Sequence, residues 1–173
     1  MTEDFLDGYF YNPTIGNLKF ERVIKEIILY FQQKPEKFYD VIVGCDSSSG
    51  EDPYFPVVVV ALRKGQGGRF FLKKIHYKER KKFKNWKMRI LQEVFLSCEF
   101  ALYLREKLEG EIKKLSERPN YQFRYIHADV GENGATKDMI KEVIGLIRGN
   151  GFEPKIKPES YVASSVADRY SKR

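Results

Sequence analysis

The sequence predicts an α/β fold in which a mixed five-stranded sheet starts as an antiparallel meander, continues with parallel strands and is flanked by helices. Three apolar segments rich in β-branched residues follow one another through short turns, which is typical of a meander. Two more strand-like segments are each preceded by a helical pattern, so right-handed crossovers can align them in parallel with the first strand. The predicted strands cover residues 41–46, 54–63, 69–77, 122–129 and 152–157.

Helices are predicted where apolar residues recur three or four positions apart. The first begins after an N-cap at Asn17, continues to Phe31 and ends before Pro35. The others cover about residues 85–108, 136–149 and 160–170. Residues 1–16 mix aromatic side chains with glycine and proline, which indicates an irregular N-terminal arm. We expect one domain that spans residues 1–173, because the chain contains no internal repeat and no linker-like segment.

The composition indicates an ordered, basic protein. Hydrophobic residues make up 42% of the chain and charged residues 32%, which argues against wholesale disorder. The net charge of +7 favours polyanions such as nucleic acid, although a basic surface can also simply keep a protein in solution. Cys45 and Cys98 lie in apolar segments without CxxC spacing, which indicates core positions and a cytoplasmic location. We expect neither membrane insertion nor export.

The densest positive charge lies between Lys73 and Arg89, where nine Lys or Arg residues accompany a single acid, Glu79. Basic residues near the start of a helix oppose the helix macrodipole, so a bound polyanion is one reason for their presence. The alternative is a solvated loop face. The candidate nucleic-acid contacts are Lys78, Arg80, Lys81, Lys82, Lys84 and Lys87.

Two carboxylates follow strands that are predicted to become parallel neighbours. Asp46 ends the apolar run VIVGCD, and Asp129 ends the fourth predicted strand. Both should therefore lie in the crevice at the carboxyl ends of the strands, where Asp168 of the last helix can join them. Three acids at close range repel one another, so we expect one or two Mg²⁺ or Mn²⁺ ions to neutralise them. Such a site would support phosphodiester hydrolysis or strand transfer.

Four short segments of the sequence carry a resemblance to a known family, and they follow one another in that family's order. They are GCDSSS at 44–49, IHADVGENG at 126–134, IRGNGF at 147–152 and IKPESYVASSVADRYSKR at 156–173. Together they resemble the ribonuclease H-like YkuK family of small, largely uncharacterised proteins, and the resemblance covers roughly residues 20–173. It implies a ribonuclease H-like fold with a nuclease-like carboxylate site.

The resemblance also implies roles for individual acids. Asp46 matches the first-strand aspartate, Asp129 the acid at the end of the fourth strand, and Asp168 the acid of the final helix. Ribonuclease H proper takes a further glutamate from the helix after the meander. Glu93 is favoured for that role because it lies nearer the helix start, and Glu99 is the alternative.

Three functions follow as hypotheses. The first is a metal-dependent nuclease, a hydrolase that acts on RNA, DNA or their hybrid. The alternatives are a non-catalytic nucleic-acid-binding domain that retains the same fold, and a protein whose carboxylates serve another phosphoryl substrate such as a nucleotide.

His127 shares the strand face of Asp129 by alternation and is interpreted as a hydrogen-bonded core histidine, with a catalytic or metal role as the alternative. Oligomeric state is not predicted.

Overall fold

The computed structural model describes residues 7–77 and 83–171, which form a mixed α/β fold as predicted. In chain order the elements are β1 (Phe10–Asn12), β2 (Gly16–Leu18), α1 (Phe20–Gln33), β3 (Tyr39–Cys45), β4 (Phe55–Arg63), β5 (Gly68–Ile75), α2 (Trp86–Ile112), β6 (Tyr121–His127), a 3-10 helix (Ala135–Met139), α3 (Ile140–Gly149), β7 (Glu153–Lys155), a π-helix (Val162–Ala167) and α4 (Asp168–Ser171). Each of the five predicted strands has a counterpart in this series. None of the helices in the described ranges combines the length and the apolar character needed to cross a membrane.

The described strands form one sheet in the order β2-β1-β5-β4-β3-β6-β7. Strands β3, β4 and β5 make the predicted antiparallel meander, whereas β6 pairs in parallel with β3, and β7 pairs in parallel with β6. The expectation of five strands is wrong, because β1 and β2 add a hairpin to the edge of the meander through β5. The sheet thus has seven strands and is mostly antiparallel.

The additional hairpin lies within the segment that was expected to be an irregular arm. Its inward side chain, Phe10, is fully buried and stacks on Phe100 of α2 with ring centroids 5.5 Å apart. The Asn12 side chain closes the turn, because its oxygen accepts hydrogen bonds from the backbone of Thr14 and Ile15. The strands are only three residues long, which is too short for a pattern of alternation to stand out in the sequence.

The two faces of the sheet are covered unequally. Helices α1, α2 and α3 pack on one face and enclose the main hydrophobic core. On the other face a smaller cluster joins Ile42, Val58 and Leu72 of the sheet to Val162 and Ala167 of the C-terminal segment. That segment therefore lies directly on the central strands, and it brings Asp168 to the carboxyl end of β3.

Helix α2 begins where the sequence predicted. Asn85 is its N-cap, and the Asn85 side-chain oxygen accepts a hydrogen bond from the Met88 backbone nitrogen at 3.0 Å. The helix continues to Ile112, four residues beyond the predicted end at Leu108. Its buried side chains include Glu93, which is an exception to the apolar pattern of the packed face.

Candidate active site

The parallel pairing of β3 with β6 brings Asp46 and Asp129 to the same edge of the sheet. Gly44 is in register with His127, and each aspartate lies two residues beyond its member of that pair. Both carboxylates line an open cleft of about 610 Å³. The cleft is also lined by Ser47, Ser48, Ser49, Asp52, Tyr54, Asp168 and Ser171. The crevice expected at the carboxyl ends of the strands is therefore present, and three of the predicted acids meet in it.

The C-terminal segment reaches this cleft because β3 has a glycine at the point of contact. A Cβ atom on Gly44 would lie 2.9 Å from the backbone nitrogen of Ala163, which is closer than side chains tolerate. The π-helix can therefore lie directly on the strand. Helices of this type occur mostly as single turns and often at functional sites. Asp168 follows the π-helix, and its carboxyl group shares a hydrogen bond with that of Asp46.

Glu93 of α2 is the fourth acid of the cluster. It is only 6% exposed, and its Oε1 accepts a hydrogen bond from Ser47 Oγ at 2.5 Å. The charges of Asp46 and Asp129 act on Glu93 directly. Glu99, the alternative, lies six residues farther along α2 and is not among the groups that shift the pKa of Glu93. The structure thus places Glu93 close to Asp46 and Asp129, which favours Glu93 over Glu99 as the fourth acid.

Two acids of the cluster hold their protons close to neutral pH. Burial, the hydrogen bond with Asp168 and the negative charge of Asp129 raise the pKa of Asp46 to about 7. Burial, followed by the negative charge of Asp46, raises the pKa of Glu93 to about 8, against the lowering effect of the Ser47 hydrogen bond. Mutual repulsion and burial are the two causes expected when carboxylates converge without a cation. Strongly perturbed acids in a cleft are also a physical indication of a functional site.

Asp129 has partners that the sequence reasoning missed. Its Oδ1 lies 3.2 Å from the Nζ of Lys157 and accepts a hydrogen bond from Ser164 Oγ at 2.5 Å. Lys157 fits here because Gly131 has no side chain, since a Cβ on Gly131 would lie 3.0 Å from the Lys157 Cβ. Lys157 and Ser164 both lie in the motif at 156–173, and that motif was the only signal in the sequence that could have pointed to them.

Comparison with known proteins identifies the family of this chain. A family model described as "Ribonuclease H-like" matches residues 22–172. The chain belongs to the ribonuclease H-like family. It is also 29% identical over 180 residues to "Uncharacterized protein YkuK" of Bacillus subtilis (strain 168), in a match that covers 99% of this chain and 100% of the relative. No solved structure matches the chain.

The ribonuclease H-like fold raises the question of whether this cleft suits a divalent metal. Its donors are hard oxygen atoms from four acids and neighbouring serines, which is the chemistry that Mg²⁺ and Mn²⁺ prefer. Within residues 7–77 and 83–171, however, no three His, Cys, Asp or Glu side chains are already arranged to hold a metal ion. Asp129 is engaged by Lys157 and Glu93 by Ser47. The residues fit a metal by their chemistry, and the carboxylates would have to turn to bind it.

The histidines occupy different positions from the acids. His127 is buried beneath the π-helix, where its Nδ1 accepts a hydrogen bond from the Val162 backbone nitrogen at 3.2 Å. Burial, followed by the positive charge of Lys155, lowers the pKa of His127 to about 4. This position matches the interpretation of His127 as a hydrogen-bonded core histidine. His76 is half-buried, with its Nε2 2.8 Å from Asp52 at the rim of the cleft.

The remaining predicted residues divide into two groups. Cys45 and Cys98 are buried and free, as expected for core cysteines. Lys84 and Lys87 are exposed near the start of α2. The other candidate nucleic-acid contacts, Lys78, Arg80, Lys81 and Lys82, lie outside the described residues, so the basic stretch as a whole stays a prediction.

Proposed function

We propose that this protein is a metal-dependent nuclease that hydrolyses phosphodiester bonds in nucleic acid. One observation carries the proposal. Three aspartates from separate parts of the chain, Asp46, Asp129 and Asp168, line one cleft. Glu93 lies buried close to Asp46 and Asp129, in a chain that has a net charge of +7. When they ionise, acids this close together repel one another and oppose phosphate binding unless a cation is present. Membership of the ribonuclease H-like family supports the same reading.

Asp46, Asp129 and Asp168 would hold one or two Mg²⁺ or Mn²⁺ ions, with Glu93 as a further ligand. When bound, the metal would supply an activated water and would neutralise charge on the leaving oxygen. The Ser47 hydroxyl orients Glu93 through its hydrogen bond, and Ser164 does the same for Asp129. Release of the protons held by Asp46 and Glu93 would accompany metal binding.

The decisive test is cleavage by the purified protein of labelled single-stranded RNA, single-stranded DNA, duplex DNA and an RNA–DNA hybrid with Mg²⁺ or Mn²⁺. We expect cleavage of at least one substrate, and we expect Asp46→Asn to reduce its rate by more than about 100-fold, because loss of outer-shell support alone costs 10- to 100-fold. Asp138→Asn is the matched control, since Asp138 is an exposed acid on the 3-10 helix outside the cleft. If no substrate is cut with either metal, the nuclease proposal fails.

A second candidate function is a non-catalytic nucleic-acid-binding domain that retains the fold. The ion pair between Lys157 and Asp129 favours it, because a carboxylate that is already neutralised by the protein has less need of a metal. Such a domain would bind nucleic acid without turnover. Its affinity would be kept or increased in Asp46→Asn, whose lost negative charge no longer repels phosphate.

A further inference from the structure

A second groove lies on the open part of the sheet, beside the candidate active site. It has a volume of about 590 Å³. Its lining residues are Tyr9, Tyr11, Asn17, Leu72, Lys74, Arg169 and Tyr170. The groove follows the face of the sheet that the three long helices leave uncovered, at the edge formed by the N-terminal hairpin and β5.

The groove presents aromatic rings to solvent. Tyr9 is 57% exposed and Tyr11 is 37% exposed, whereas Phe10 between them is buried on the opposite face, as strand alternation requires. The ring of Tyr170 lies between those of Tyr11 and Phe70, with centroids 6.2 Å and 5.7 Å away. These contacts support Tyr11 from one side and leave much of its ring accessible.

Among the described residues, the charged side chains that line the groove are basic. Lys74 and Arg169 line it, and none of its described lining residues is acidic. Lys19 lies next to the groove, with its Nζ 4.6 Å from the centre of the Tyr9 ring. Exposed aromatic rings beside lysine and arginine are the elements that bind single-stranded nucleic acid, in which the rings stack on bases and the cations contact phosphates.

The short helix α4 joins this groove to the candidate active site. Asp168 and Ser171, three positions apart, line the acidic cleft. Arg169 and Tyr170, which lie between them in the sequence, line the aromatic groove. Residues three apart share a face of a helix, so α4 separates the two depressions and presents one side to each. A nucleic-acid strand that lies in the groove would therefore lead towards the carboxylates on the other side of α4.

We propose that the groove binds single-stranded nucleic acid, with bases stacked on Tyr9 and Tyr11 and phosphates contacted by Lys74 and Arg169. This inference rests on the proposed nuclease function, because it names the substrate class delivered to that centre. A duplex keeps its bases stacked on one another, so it cannot use the rings in this way.

The test measures fluorescence anisotropy of labelled oligothymidylate and oligouridylate in EDTA, where cleavage is excluded. The double variant Tyr9→Ala/Tyr11→Ala should bind at least about tenfold more weakly, because a stacked base contributes roughly 1–3 kcal/mol. The variant Tyr9→Phe/Tyr11→Phe keeps both rings and should bind as the unaltered protein does. Phe95→Ala is the matched control, since Phe95 is an aromatic residue of similar exposure, 51%, on helix α2. Comparison of the affinities for the two oligomers shows whether the groove prefers DNA or RNA.

The outcomes separate this inference from the nuclease proposal. Tyrosine-dependent binding without cleavage in Mg²⁺ or Mn²⁺ supports binding in the groove and contradicts the nuclease proposal. Cleavage with unchanged affinity in the double alanine variant overturns the groove and leaves the nuclease intact. Equal tyrosine-dependent binding of a blunt duplex also overturns it. Self-association that is detected by sedimentation and disappears in the double alanine variant would also overturn the proposal. A second copy of the chain would then cover these rings.

Discussion

At the scale of single residues, the candidate site depends on how each carboxylate is compensated. The pKa values of Asp46 and Glu93 are raised to about 7 and about 8, whereas Asp129 forms an ion pair with the ammonium group of Lys157. Lys157 was not among the residues predicted for the site, although it contacts one of the three proposed metal ligands. It would compete with a metal ion for Asp129, and this competition can be measured.

We expect Lys157→Gln to tighten Mn²⁺ binding up to about fivefold, because the partly exposed ion pair it removes contributes up to about 1 kcal/mol. Isothermal titration calorimetry of the two proteins measures the change. Lys155→Gln is the control, since Lys155 carries the same charge but pairs with Glu159. Equal tightening in both variants would show that only net charge matters, and weaker binding in Lys157→Gln would contradict direct competition.

At the scale of elements, the π-helix and α4 complete the site from the far end of the chain. Their position depends on the close approach of the π-helix to β3, which is possible only because residue 44 is glycine. The same contact places Ser164 against Asp129 and Asp168 against Asp46. A single methyl group at this point should therefore affect both stability and the acid cluster.

We expect Gly44→Ala to lower the free energy of unfolding by about 1–3 kcal/mol, the usual cost of overpacking a filled interface. Urea denaturation measures this loss. Gly110→Ala is the control, since Gly110 lies within helix α2 with no neighbouring atom within 4 Å of an added Cβ, and alanine there should be neutral or stabilising. An unchanged stability of Gly44→Ala would mean that the C-terminal segment is not held against the strand.

At the scale of the whole molecule, the acid cluster links folding to pH. An acid whose pKa is raised by folding binds more protons in the folded state, so its contribution to stability falls as pH rises towards the folded pKa. For Asp46 and Glu93 this window extends from about 4 to about 7 and 8, respectively. The lowered pKa of His127 acts in the opposite direction, but only between about 4 and its ordinary value of 6.5.

Above pH 6.5 the acids therefore act without that opposition. We expect the free energy of unfolding of the metal-free protein to fall by on the order of 2 kcal/mol between pH 6.5 and pH 8. Urea denaturation in EDTA at the two pH values measures the fall, and Glu93→Gln should remove most of it. Stability that rises across this interval, or a Glu93→Gln protein with the same pH dependence as the original, would contradict the account.

Much of this architecture could be predicted from local patterns. The β-branched run of β4 and the apolar periodicity of α2 are features of neighbouring residues, and each predicted the element that the structure contains. The N-cap predicted at Asn17 was wrong, because Asn17 lies in β2 and Lys19 precedes α1. The proximity of Asp46 and Asp129 was predicted from the rule that crossover connections are right-handed. Such a crossover makes their two strands parallel neighbours, so that the carboxyl ends of the strands lie together. The three-residue strands of the N-terminal hairpin were missed because Phe10 and Leu18 are fixed by burial against distant elements.

The sequence by itself determined which acids end which strands, the excess of positive charge and the family to which the chain belongs. Only the tertiary structure decided that Glu93 lies close to Asp46 and Asp129 and that Lys157 pairs with Asp129. It also decided that Tyr9 and Tyr11 line one groove with residues of α4. The physical reason is that these relations join residues far apart in the chain. They depend on side-chain burial and on the close contact at Gly44, which no local pattern records.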